Sequence, residues 1–239
     1  MYEKAMQVPA QTVHLSKKYL TRIKTEPGFE FKQIHRAEIY RSFGPSGIKY
    51  SWDREKSIRR IQMSIADKVY GWLSVLTAQK VKSIWEDANL EDFEHDEIHY
   101  LPTRMLELAE GILNGTADAD ETNKYTWISG WGFQRGTRKN VYGALASAEA
   151  SLFTLLHGVV GHSGDFATPA LDASACIDRN SPGAWFAKIE GFDFYKKMNH
   201  YDNLEFVPLE IDHRKEVEFW EWWFEEALSH AWDLVEPEE

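Results

Sequence analysis

Cysteine is nearly absent from this chain. Cys176 is the only one in 239 residues, which excludes an intramolecular disulfide framework or a cysteine-based zinc finger and suits a reducing cytosol. Long apolar runs are missing too. The longest uncharged run lies between Glu149 and Asp165 and contains His157 and His162, too short and too polar to span a bilayer. The first residues, MYEKAMQVPAQTVHLSKKYL, hold no apolar stretch of the kind a secretory signal needs. Neither a phosphate-binding P-loop nor a G-x-G-x-x-G cofactor loop occurs, so nucleotide chemistry of those two kinds has no sequence support. These absences point to a soluble, cytoplasmic protein with no membrane partner and no cofactor.

Charge of one sign is also scarce over much of the chain. Residues 1–82 carry 16 Lys and Arg against 7 Asp and Glu, whereas residues 83–239 carry 11 against 31. The two parts differ in net charge by sign, +9 and −20, for an overall −11. Folding can pair much of this, but acidic surface left over would steer a basic partner. Direct binding of nucleic acid is disfavoured, because so acidic a chain repels phosphates.

Aromatic residues and helical periodicity are what the sequence has in abundance. Residues 216–235, EVEFWEWWFEEALSHAWDLV, hold four tryptophans and five glutamates. Val217, Trp220, Phe224, Ala227, Ala231 and Leu234 recur at steps of three and four, which predicts one apolar helical stripe flanked by Trp223 and Leu228. Large aromatics at this spacing seal a core, while Glu216, Glu218, Glu221, Glu225 and Glu226 offer an anionic face. Asp212 is the expected N-cap.

Other segments follow the same logic. Leu15, Tyr19 and Ile23 predict a helix over 13–24 that Pro27-Gly28 ends, and Gly44-Pro45-Ser46-Gly47 predicts a turn. Residues 29–43 are compatible with either a strand or a helix. From Ile58 through Ile61, Ile65, Val69, Trp72, Leu73, Leu76 and Trp85 the apolar residues keep helical phase, with Asp53 as N-cap and Gly71 as a possible break. Pro102 opens a helix with Met105, Leu106, Ala109, Ile112 and Leu113 inward, closed by Asn114-Gly115. Residues 118–136 and 140–157 are further helical stretches, the latter rich in small residues. A long polar loop spans 158–182, followed by a short helix near Trp185 and an extended passage over 204–211. The expected fold is all-α, a multi-helix single domain with at most a minor extended or hairpin element. It divides into residues 1–50, an N-terminal extension packed on the main domain, and residues 51–239, the helical domain.

Two constellations invite an enzymatic reading. Gly161-His162-Ser163-Gly164-Asp165 looks like a nucleophile elbow, but Asp165 stands where the pattern needs a small residue, and the upstream segment is alanine-rich and helical rather than a β-strand. His95 and His99 share one helical face at i, i+4, yet the acid following the first histidine is Asp96 and the zincin order requires glutamate there. His157 and His162 lack a third ligand. Asn114-Gly115-Thr116 matches a glycosylation sequon and reads, without secretion, as a helix-ending turn.

Four stretches carry a family likeness: TAQKVKSIWEDA (77–88), PTRMLELAEGILNGTADADE (102–121), GALASAEASL (143–152) and EFWEWWFEEALSHAW (218–232). In order and type they resemble the all-α immunity proteins of bacterial polymorphic-toxin systems, in particular the group usually numbered five. The likeness covers roughly residues 55–232, while the first 50 residues and the 158–182 loop have no counterpart. It implies a non-enzymatic inhibitor that binds a cognate protein toxin in the cytosol. On that reading the contact is expected from Glu91, Asp92, Glu94, Asp96 and Glu97, joined by Asp118, Asp120 and Glu121. The alternative is a hydrolase using Ser163 or a metal site at His95 and His99.

Overall fold

The computed structural model describes residues 8–26, 28–29, 31, 33–47, 49–53, 58–87, 100–116 and 213–235, together with Ala148, Leu152 and Leu155. In chain order the elements are α1 (Ala10–Thr25), α2 (Gln33–Arg41), β1 (Lys49–Asp53), β2 (Ile58–Gln62), α3 (Ile65–Glu86), α4 (Leu101–Leu113), α5 (His213–Trp222) and α6 (Leu228–Asp233). A π-helical turn, Trp223–Ala227, joins α5 to α6 without interruption, so the last three form one C-terminal helix. The described part is all-α in character, with a single antiparallel hairpin as its extended element.

That hairpin corrects the helix expected to begin before Ile58. Lys49 pairs with Gln62, Ser51 with Arg60 and Asp53 with Ile58, so Asp53 ends a strand and caps no helix. Steps of three and four from Ile58 to Ile61 to Ile65 match a helical stripe, but over so short a run they do not exclude a strand, in which Ile58 and Ile61 fall on opposite faces. The helix instead starts at Ile65, where Ser64 and Asp67 form a reciprocal capping box. Each side chain satisfies a backbone N–H that the first turn leaves without an intrahelical partner. Asp67 is fully buried and also accepts from Ser46 Oγ and from the Gly47 amide, both at 2.8 Å. One carboxylate thus ties the Gly44–Gly47 loop and the exit of the hairpin to the start of α3.

α3 continues through Gly71 without a break. A Cβ at this position would lie 2.5 Å from Leu113 Cδ2 and 2.8 Å from Leu155 Cδ2, so the missing side chain is what lets neighbouring leucines approach. The residue that looks like a helix breaker is a packing site. α4 follows the sequence expectation closely: Pro102 sits in its first turn, Met105, Leu106, Ala109, Ile112 and Leu113 are buried, and Gly115 takes a positive φ of 69° after its end. Gln79 bonds Glu110, while Lys82 and Glu86 both reach Thr103, a register that makes α3 and α4 antiparallel. Ala148, Leu152 and Leu155 are helical and buried in the same core; at i, i+4 and i+7 they lie on one helix face.

The C-terminal helix packs on α3 and α1, and its tryptophans also meet Arg36 and Tyr40 of α2. Its buried residues come in pairs four apart: Phe219 and Trp220, Trp223 and Phe224, Ala227 and Leu228, Ala231 and Trp232, then Val235. Four residues of α-helix turn through about 400°, so a strict period of four drifts by about 40° at each step. The π turn, with its wider i→i+5 winding, absorbs part of that drift and holds all the pairs on one face. For this reason Trp223 and Leu228, expected at the flanks of the stripe, are in its centre. Residues 118–136, 158–182, 185–189, 204–211 and Asp212 lie outside the described residues.

Candidate functional site

The eight acidic residues expected to make the contact, Glu91, Asp92, Glu94, Asp96, Glu97, Asp118, Asp120 and Glu121, lie outside the described residues. So do Ser163, His95, His99, His157, His162 and Cys176. What the structure does place is where the two acidic segments attach. The first is bracketed by Asp87, just past the end of α3, and by Tyr100, the N-cap of α4 with 71% of its surface exposed. The second follows Thr116, past the other end of α4. A helix of 13 residues is about 20 Å long, so the two segments leave the core from opposite ends of α4. The end of α3 is itself acidic: its last turn has no basic residue, and among the described residues only the Lys82–Glu86 pair at 3.1 Å offsets the carboxylates there. Negative charge at a helix C-terminus opposes the macrodipole.

Where the C-terminal helix meets α3, the packing is closed. Trp223 Nε1 donates to Thr77 Oγ1 at 3.1 Å, and Thr77 Oγ1 donates to the Leu73 carbonyl at 2.6 Å. Both side chains are buried, so this chain of bonds satisfies the indole N–H and the threonine hydroxyl within the core. Around Trp223 the rings of Trp220, Phe224 and Phe31 stand edge-on or tilted, with centroids between 5.1 and 6.1 Å away, the arrangement favoured by the ring quadrupoles. Arg36 is 1% exposed, with its guanidinium 5.7 Å from the Phe31 ring and 5.8 Å from the Trp220 ring. It donates to the Phe31 carbonyl. A buried cation over aromatic faces and a carbonyl is partly compensated for its lost hydration.

Three tyrosines are buried in this interior. Burial pushes Tyr40 and Tyr70 well above the ordinary tyrosine range, and the Tyr70 hydroxyl donates to the Tyr40 carbonyl. Tyr19 is pushed up to about 12, first by burial and then by its hydrogen bond to the Glu38 carboxylate. Uncharged phenols suit these positions, because the phenolate would be desolvated or beside an anion.

Where the C-terminal helix meets α1, the packing is open. Leu20, Phe224 and Leu228 form the floor of a groove of about 270 Å³, with Lys17 and Glu225 on its walls. Val13 on its lip is 39% exposed. Of the glutamates expected to present an anionic face, Glu221 pairs with Lys24, and Glu218 with Arg214 at 3.6 Å. Glu225 and Glu226 are exposed and form no ion pair among the described residues. Sequence reasoning missed the groove, since its two sides come from opposite ends of the chain. The only local hint was an apolar residue, Val13, off the Leu15, Tyr19, Ile23 stripe.

Among the described residues no cluster of His, Cys, Asp and Glu has the spacing to hold a metal ion, and no helix is long and apolar enough to cross a membrane. No protein-family model, no curated protein and no solved structure matches this chain.

Proposed function

We propose that this chain is an immunity protein: a non-enzymatic inhibitor that binds a cognate bacterial toxin in the cytosol. The observation that carries the reading is the ordered likeness of four stretches to the all-α immunity proteins. In support, all four stretches contribute to one hydrophobic core, through Val81 and Trp85, Met105 and Ile112, Ala148 and Leu152, and Trp220 and Trp223. The charge is a second support. An excess of carboxylates over residues 83–239 complements a basic protein, and complementary fields raise association rates and discriminate between partners.

In this reading Glu91, Asp92, Glu94, Asp96 and Glu97 meet the toxin, with Asp118, Asp120 and Glu121 reaching it from the other end of α4. Buried aromatic or aliphatic anchors supply most of the affinity, while surface charge sets the on-rate. The test is co-expression with the toxin encoded beside this chain, followed by purification of the pair. Survival of the cells and a stable complex are expected; death of the cells and no association would overturn the reading. Reversing Glu91, Asp92, Glu94 and Asp96 to lysine should slow association at low salt and flatten its salt dependence, without changing the helical content. An ester hydrolase activity lost in Ser163→Ala, or a stoichiometric metal lost in His95→Ala, would assign the chain to hydrolysis instead.

A further inference from the structure

The β1–β2 hairpin is held by its base. Ser46 and Gly47, in the loop before β1, and Ser64, just after β2, all donate to the buried Asp67 carboxylate. Along their length the strands pair with each other, and among the described residues no helix packs along either of them. An isolated two-stranded hairpin is marginally stable in water, and a third strand or a packed helix is what completes it. On the side away from its partner each strand carries backbone N–H and C=O groups, and among the described residues none of these has a backbone partner. Such an edge is a template for a further strand.

Charge separates the two edges. Residues 49–62, KYSWDREKSIRRIQ, hold five Lys and Arg against two Asp and Glu, net +3 in a chain of net −11. β1 has Lys49 and Asp53, which cancel, whereas β2 has Arg59 and Arg60 and no acid. Successive strand positions alternate between faces. Ile58, Arg60 and Gln62 therefore belong to one face of the hairpin, and Arg59 and Ile61 to the other. Gln62 and its cross-strand partner Lys49 are exposed, so the face that carries Arg60 is open at that end. The two adjacent arginines set one cationic position on each face of a single edge strand. A second copy of β2 paired along this edge would bring arginine beside arginine, and like charges across strands are destabilising. A strand with two adjacent carboxylates is matched on both faces at once.

We propose that the outer edge of β2 is a docking site for an extended acidic segment of a partner protein, which adds to the hairpin as a third strand and sets two consecutive Asp or Glu residues beside Arg59 and Arg60. Main-chain bonds give such a contact its affinity, and the alternating side chains give it specificity. The added strand also completes a sheet that two strands alone leave marginal. This site is opposite in sign to the acidic segments at the ends of α4. It does not depend on the inhibitor reading, since a basic toxin would not compete for it.

The experiment is an NMR titration of the amide-labelled full chain with two blocked hexapeptides: two adjacent glutamates flanked on each side by threonine and valine, and the same peptide with lysines in place of the glutamates. The amides of residues 58–62 should shift with the glutamate peptide and exchange with solvent more slowly in its presence. The lysine peptide should bind about two- to thirty-fold more weakly, the size of two cross-strand charge pairs. Arg59→Glu combined with Arg60→Glu should invert the preference, while the signals of the helices report directly that the fold is kept. The glutamate peptide N-methylated throughout keeps its charges but cannot join a ladder, and it should not bind. Equal response to the two charged peptides, undiminished binding of the N-methylated one, or no shift up to about 10 mM peptide overturns the proposal. A short oligonucleotide that shifts the same amides more than the glutamate peptide does would give the arginines to phosphate and overturn it too. Slow exchange along the outer edge of β2 in the free chain, unchanged by peptide, would mean that another segment of this chain already pairs there. Dimerisation that the double variant alters would give the edge to a second copy. Either result overturns the proposal, and neither bears on toxin association.

Discussion

One helix makes two very different seams. Against α3 the C-terminal helix is sealed by buried residues on both elements and by the bond from Trp223 to Thr77; against the first turns of α1 it leaves a groove with Val13 at its lip and Lys17 and Glu225 on its walls. Composition alone does not separate the two seams, because both draw on the same alternation of apolar pairs and glutamates. The difference comes from the partner. α3 offers Thr77, Ala78 and Val81, small or branched residues that let large rings settle between them. α1 offers Ser16, Lys17 and Leu20 at the groove, where a long charged side chain cannot close the surface. A helix can therefore stabilise the fold along one side and remain available along another.

The comparison breaks most visibly at the sealed seam. Trp223→Ala should cost about 3–5 kcal/mol, the range for deleting a large aromatic from a core, seen as a large drop in the denaturant midpoint with the slope unchanged. Trp223→Phe keeps most of the apolar area but leaves the Thr77 hydroxyl one partner short, and about 1–3 kcal/mol is expected from that. If Trp223→Ala cost no more than an exposed substitution, the seam would not be the closed one.

At the N-terminal side the expected effect is smaller and depends on pH. Tyr19 has its folded-state value raised from 10.0 to about 12 by burial and by Glu38. A raised value means the folded protein holds the phenolic proton more tightly than the unfolded chain does. Its contribution to stability is whole below pH 10 and is lost as pH rises from 10 to 12. Chemical denaturation across that window should show falling stability, and Tyr19→Phe should make the fall shallower. Tyr40 and Tyr70, raised in the same direction by burial, should steepen it and remain after that substitution. A profile unchanged by Tyr19→Phe would sink this account.

How much of this was legible depended on the distance over which each signal acts. α4 could be read almost to its ends, because Pro102 at its start and Gly115 past its finish act within the helix itself. The hairpin was misread since Ile58, Ile61 and Ile65 satisfy a helical period over a run too short to exclude a strand, and only pairing across the turn settles which is formed. Gly71 looked like a break, yet its role is set by Leu113 and Leu155, partners at sequence separations that no local pattern reports. The stripe of the last helix was right in kind. Its centre was displaced because the π turn changes the angular step within the window used to read it. For the site, the acidic segments were chosen on charge density, and their order along the chain already sets them at opposite ends of α4. The groove was beyond sequence reasoning altogether, as Val13 and Phe224 come together only after folding.

The smallest expected effect sharpens the contrast best. Val13→Arg, at a position 39% exposed, should change stability by no more than about 0.5 kcal/mol, the usual range for surface substitutions away from packed or bonded features. Reversing Glu225 and Glu226 to lysine should be equally mild, since no ion pair among the described residues is broken. The buried floor should respond otherwise: Leu228→Ala removes a fully enclosed side chain and should cost about 2–5 kcal/mol. Thermal unfolding of the three variants side by side measures where the core stops and the available surface begins. A Val13→Arg loss as large as that of Leu228→Ala would mean that the lip belongs to the core, and that the second seam is closed like the first.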